Sequence, residues 1–92
     1  MSARFFHLSE TSAGVQFGDR IDPGLHHQVI RAYRYFRANP FPGFREAVPA
    51  YASLSIYYDP MRMPAYMRKD ASLILGLLND LLVKAMAQHD PD

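Results

Sequence analysis

Ser53-Leu54-Ser55-Ile56-Tyr57-Tyr58 is the stretch on which the fold turns. Leu54, Ile56 and Tyr58 alternate with Ser53, Ser55 and Tyr57, so a strand here points one apolar set to a core and a more polar set away. The spacing predicts a strand over 52–58, closed by Asp59-Pro60. Upstream, Phe44-Arg45-Glu46-Ala47-Val48 reads as a partner strand, ended or bulged at Pro49, which cannot donate to a ladder. Further upstream, Val15 and Phe17 share one face and Gln16 the other, the same period of two over 13–18. The β-prone run Arg4 to Leu8 precedes it, and Ser9-Glu10-Thr11-Ser12 is a polar link, which suggests a hairpin with a four-residue connection.

Between these strand pairs lies a helix with both ends marked. Asp22 is placed to accept a free backbone N–H, Pro23 suits the first helical position, and Asn39-Pro40 stops the run. A helix over 23–38 buries Leu25, Val29, Ala32, Tyr33 and Phe36, and turns Arg31, Arg34 and Arg37 towards the opposite side. After Pro60, Met61 to Lys69 is irregular or begins a helix near Pro64. Asp70 or Ser72 then caps a second long helix, whose apolar stripe is Leu73, Ile74, Leu77, Leu78, Leu81, Leu82 and Ala85. Gly76 weakens it by about 1 kcal/mol relative to alanine and suggests close packing there. The order β-β-α-β-β-α predicts an α+β sandwich, with an antiparallel or mixed sheet carrying two helices on one face.

The 92 residues suffice for one domain, 1–92. Ten Lys and Arg against nine Asp and Glu remove the electrostatic case for a dedicated nucleic-acid or anionic-membrane binder. The absence of cysteine excludes disulfides, thiolate metal sites and thiol nucleophiles. The N-terminus lacks an apolar signal core, and Leu73 to Ala87 is interrupted by Asn79, Asp80 and Lys84 and is too short to span a bilayer. A cytoplasmic protein is the expectation.

Three segments in register carry a family resemblance: Phe17-Gly18-Asp19-Arg20-Ile21-Asp22-Pro23, then Asn39-Pro40-Phe41-Pro42-Gly43-Phe44-Arg45-Glu46-Ala47-Val48-Pro49-Ala50-Tyr51, then Ser53 to Pro60. Together they resemble the N-terminal domain of the family that contains the B subunit of 5-oxoprolinase, the histidine-kinase inhibitor KipI and proteins labelled allophanate hydrolase subunit 1. The resemblance implies an α+β domain that ordinarily precedes a cyclophilin-like domain, here absent, so the chain is either the first half of a two-domain subunit or a single-domain relative. It also implies work with partners. These are the subunits of an assembly that opens 5-oxoproline to glutamate with ATP, or a histidine kinase. No cofactor is expected on this domain itself, the ATP belonging to the assembly. One departure is Leu8-Ser9-Glu10, where many relatives read Leu-Gly-Asp.

Four residues are candidates for ligand or partner contact: Asp19, Pro49, Tyr51 and Asp59. Asp19 stands three before Asp22, and the structural role of the pair is a turn residue plus a helix cap, the functional one a carboxylate pair. Pro49-Ala50-Tyr51 interrupts the sheet, either as a bulge whose tyrosine packs or as an edge that presents a phenol. Asp59 is a strand terminator bonding its own backbone, or a contact group. His26 and His27 diverge by about 100° on a helix and cannot share a metal as an i,i+4 pair does; His27, Arg31 and Arg34 form a solvated strip. No histidine is assigned a catalytic role, and no metal site is expected. Hydrolysis by this domain alone would require Asp19, Asp59 and Tyr51 to converge. The expectation is therefore a domain acting by protein contact, with a stand-alone ligand-binding or regulatory module that dimerises through its sheet as the alternative.

Overall fold

A computed structural model describes residues 3–87. Strands β1 (Arg4–Ser9) and β2 (Ser12–Gln16) form a hairpin, helix α1 (Pro23–Ala38) follows, and β3 (Phe44–Pro49) and β4 (Ser53–Tyr58) form a second hairpin. A 3-10 turn over Pro60–Arg62 leads into a short helix, α2 (Ala65–Lys69), and then α3 (Ala71–Ala87). The sheet order is β1-β2-β4-β3 and every pairing is antiparallel, which settles the choice between an antiparallel and a mixed sheet.

The alternation in β4 works as expected. Leu54 and Ile56 are fully buried and Tyr58 nearly so, while Tyr57 is exposed. Val15 pairs with Leu54 and Ala13 with Ile56, so β2 continues the same apolar face. α1 covers the β3–β4 side of that face through Val29, Ala32 and Phe36. α3 packs beside α1 and reaches β1, contributing Ile74, Leu78, Leu82 and Ala85. Two helices on one face of one sheet are thus the architecture, with the core between the layers. On the other face, Phe6 pairs with Gly14, and a Cβ at position 14 would stand 2.7 Å from the Phe6 ring. The ring lies across the bare backbone of the central strand.

The caps follow the sequence. The Asp22 carboxylate accepts from the Gly24 N–H at 2.8 Å, with Pro23 opening the helix. Asp70, rather than Ser72, caps α3, accepting from the Ser72 N–H at 3.0 Å and its hydroxyl at 2.7 Å. Those two bonds hold the Asp70 carboxyl below its ordinary range.

Several expectations need correction. Leu73 is 40% exposed, because the i, i+4 line of Ile74, Leu78 and Leu82 is the one that faces the sheet. Gly76 faces open space, so it serves no close approach. The first hairpin connection is only Glu10–Thr11, since Ser9 and Ser12 pair across the ladder and their hydroxyls bond at 2.7 Å. Of the two alternatives at Pro49, the strand ends there, opposite Leu54, and the bulge of β3 lies instead between Phe44 and Glu46. Arg31 is not a solvent-facing charge: its guanidinium donates to the Met86 carbonyl at 3.2 Å and ties α1 to α3.

Tyr58 is 1% exposed, and its hydroxyl has no partner among the described residues. Burial pushes this phenol above its ordinary value of about 10. The unfolded chain therefore releases the proton first, so stability is fully present below about pH 10 and declines as pH rises towards the folded value. Tyr58→Phe removes a desolvated hydroxyl at little packing cost. We expect it to raise stability by about 1 kcal/mol near neutrality, and the gain over the parent to widen above about pH 10. Urea melts of both chains from pH 7 to 11 would check this, and a loss at every pH would show that the hydroxyl is satisfied.

Candidate functional site

Antiparallel pairing fixes which loops meet. Gln16 ends β2 opposite Ser53, which begins β4, and the Phe17 N–H continues the ladder to the Ala52 carbonyl at 2.8 Å. The segment after β2, the β3–β4 turn and the start of α1 therefore gather at one end of the sheet. Asp19, Pro49, Tyr51 and His26 lie at this same end, where His26 contacts Tyr51 and Asp19 lies beside Arg4, Gln16 and Gly18. Asp59 lies at the other end of β4, about 20 Å away at the rise of an extended strand.

At the shared end, the Tyr51 ring stacks on the His26 ring, with centroids 4.8 Å apart and planes 15° from parallel. The His26 Nδ1 also sits 3.1 Å from the Tyr51 carbonyl oxygen, so His26 in the Nδ1–H form donates to it. This contact joins α1 to the β3–β4 turn across 25 positions of sequence. Tyr51 remains 41% exposed, and Ile21, in the segment leading into α1, is 87% exposed. Asp19 is exposed beside Arg4, Gln16 and Gly18 at a shallow depression of about 290 Å³. Asp22 is engaged as a cap and lies 3.6 Å from the Arg20 guanidinium, so Asp19 and Asp22 do not act as a pair of free carboxylates.

Asp59 has a structural task. Its carboxylate accepts from the Met61 N–H at 3.0 Å and lies 3.9 Å from the Arg62 Nε, while its N–H donates to the Gly43 carbonyl at 2.7 Å. Asp19, Asp59 and Tyr51 thus do not converge. Among the described residues no group of three or more His, Asp or Glu is placed to hold a metal ion. No described helix is long and apolar enough to cross a membrane. The stacked imidazole was not read from the sequence, where His27 drew attention through its basic neighbours. The only available signal was that His26 falls in the first turns of a helix that starts beside the strand ends.

Fold and site define a two-layer α+β domain with an exposed aromatic and imidazole cluster at one end of its sheet. Residues 3–91 match the family described as carboxyltransferase domain, subdomain C and D. The chain belongs to that family. It is 36% identical over 52 residues to the B subunit of 5-oxoprolinase from Bacillus subtilis (strain 168), a match that takes in 56% of this chain and 22% of that protein. The chain therefore corresponds to well under half of that relative's length. Among solved structures, the N-terminal domain of the histidine kinase inhibitor KipI from Bacillus subtilis is similar with a TM-score of 0.71 and 24% identity, covering 94% of this chain and 85% of that one. A conserved uncharacterized protein of Pyrococcus horikoshii, PH0987, is similar with a TM-score of 0.65 and 22% identity, over 83% of this chain and 32% of that one. At these identities the two structures speak for the fold.

Proposed function

We propose that this chain is a subunit-type domain that acts by protein contact, within an assembly of the 5-oxoprolinase kind. The observation that carries this reading is the sequence match to the 5-oxoprolinase B subunit. The geometry is consistent with it, since the exposed groups at the sheet end suit recognition and the side chains that hydrolysis by this domain would require do not converge. In this reading ATP is used by the assembly and is not bound by this domain, and its place is the cytoplasm. The contact surface is the end that carries Ile21, Tyr51 and His26. Tyrosine anchors are among the residue types that most often dominate such surfaces.

The test is co-expression with candidate partner subunits, scored by co-purification and by ATP-dependent release of glutamate from 5-oxoproline. A paired change, Ile21→Asp with Tyr51→Ala, is expected to weaken co-purification by about tenfold or more. Ile21 is almost wholly solvent-facing, while Tyr51→Ala gives up the stack on His26, so the melting temperature should fall by only about 4–8 °C and the chain should stay folded. Unchanged assembly by the pair would remove the sheet end as the contact. A second reading, inhibition of a histidine kinase, is favoured by the fold likeness to the KipI domain. It would be read from kinase autophosphorylation with and without the chain. Failure of both assays would leave a self-associating regulatory module, visible by light scattering.

A further inference from the structure

The outer side of β3 is a free edge, since β3 pairs only with β4. Which backbone groups it offers follows from one bond. The Ala50 N–H donates to the Ser53 carbonyl at 2.8 Å, so those two residues form a hydrogen-bonded pair. Antiparallel ladders alternate hydrogen-bonded with non-bonded pairs. Pro49 opposite Leu54 is then non-bonded, Val48 opposite Ser55 bonded, and Ala47 opposite Ile56 non-bonded. Ala47 accordingly turns its N–H and its C=O away from β4, to the free edge.

Along that edge, between β3 and α1, runs a groove of about 390 Å³ lined by Tyr33, Arg37, Phe44, Arg45, Glu46 and Ala47. Its walls are chemically distinct. Tyr33 and Phe44 supply rings. The Arg37 guanidinium lies 5.4 Å from the Tyr33 centroid and donates to the Tyr33 hydroxyl at 3.0 Å, which holds it in place. Arg45 is the extra residue of the bulge between Phe44 and Glu46, and makes no hydrogen bond or ion pair among the described residues. Two cations against one carboxylate give the groove a positive balance.

The geometry points to a docking site for an extended acidic peptide segment of a partner protein, added to the sheet as a fifth strand at Ala47 with carboxylates directed to Arg37 and Arg45. Strand addition draws its affinity from main-chain hydrogen bonds and its selectivity from side chains that alternate into a pocket. A residue opposite Ala47 shares its face, the helix side, and so faces the groove. The bulge on one side and Pro49 on the other confine regular pairing to this short stretch. This inference rests on the reading of the chain as a contact domain, and it concerns a surface separate from the sheet end.

The experiment uses the isotope-labelled chain and a synthetic peptide of about seven residues that alternates valine and glutamate. The expected result is saturable shifts of the Glu46, Ala47 and Val48 amides, with slowed hydrogen exchange at Ala47. Arg37→Glu with Arg45→Glu should weaken binding by about tenfold or more. The same peptide N-methylated at its glutamates, whose N–H groups face β3 when their side chains enter the groove, should not bind, a control that leaves the protein unaltered. Equal binding of a valine–lysine peptide, equal binding of the N-methylated peptide, or no shift at about 1 mM peptide would each overturn the proposal. So would self-association of the chain through this edge that excludes the peptide. None of these outcomes decides whether the chain joins a 5-oxoprolinase-like assembly, which co-purification reads separately.

Discussion

Replacing Phe36 by alanine is expected to remove a large part of the chain's stability. Phe36 is fully buried near the end of α1, in the cluster that also holds Leu54, Ile56, Leu78 and Leu82. It is the largest α1 side chain in that layer, so its loss opens a cavity where helix and sheet meet. Truncating a buried phenylalanine costs about 3–5 kcal/mol. A domain of this length has about 5–14 kcal/mol of stability in total, so the change removes about a fifth of it at the least and most of it at the low end of that range. The expected drop in melting temperature is about 15 °C or more. Urea melts followed by circular dichroism should show a lower midpoint at an unchanged slope. Phe36→Leu, which refills part of the space, should recover about half of the loss. A midpoint unmoved by Phe36→Ala would mean that α1 does not cover the sheet.

A methyl group at position 43 is expected to be nearly as damaging, for a different reason. The Phe44 N–H donates to the Phe41 carbonyl at 2.9 Å, with Pro42 and Gly43 between them and Gly43 at φ +93°. Proline followed by a residue of positive φ is the pattern of a type II turn. A Cβ at Gly43 would stand 2.7 Å from the Asp59 carbonyl oxygen and 2.7 Å from the Met63 Cγ. The methionine is able to swing aside; the backbone oxygen is not, because the Asp59 N–H is bonded to the Gly43 carbonyl. Positive φ alone costs a side-chain-bearing residue about 1–2 kcal/mol, and displacing the turn after β4 brings Gly43→Ala to about 2–4 kcal/mol. Gly76→Ala is the internal control. That glycine faces open space in α3, so the same methyl is expected to raise stability by up to about 1 kcal/mol. Opposite signs in paired melts would confirm that position, and not residue type, decides.

The elements were legible where a local rule acts alone. Asp22-Pro23 and Asn39-Pro40 bracket α1 at Pro23 and Ala38, since capping and proline geometry depend on neighbouring residues only. The alternation of β4 likewise needs only its own residues. What was not legible depends on where the chain goes next. Leu73 looks as apolar as Ile74, and only the angle at which α3 meets the sheet exposes one and buries the other. Asp59 was grouped with Asp19 and Tyr51 as a candidate; the antiparallel course of β2 and β4 sends it to the far end of the sheet. His26 and Tyr51 are joined by a stack between residues 25 apart, which no periodicity announces. The sequence thus named residues that fall at one end of the sheet, Asp19, Pro49 and Tyr51, but not the imidazole that stacks on Tyr51.

Each register irregularity in the sheet sits on an outer strand. Leu8 is the extra residue of β1, between His7 and Ser9, and Arg45 is that of β3, while the central β2–β4 ladder runs without a shift. A bulge bends and twists the strand that carries it, so neither margin offers the long flat template on which identical chains stack without end. The same irregularities that shorten the ladder thus act as a brake on aggregation. The two crooked borders leave the sheet little straight margin for an identical chain to extend.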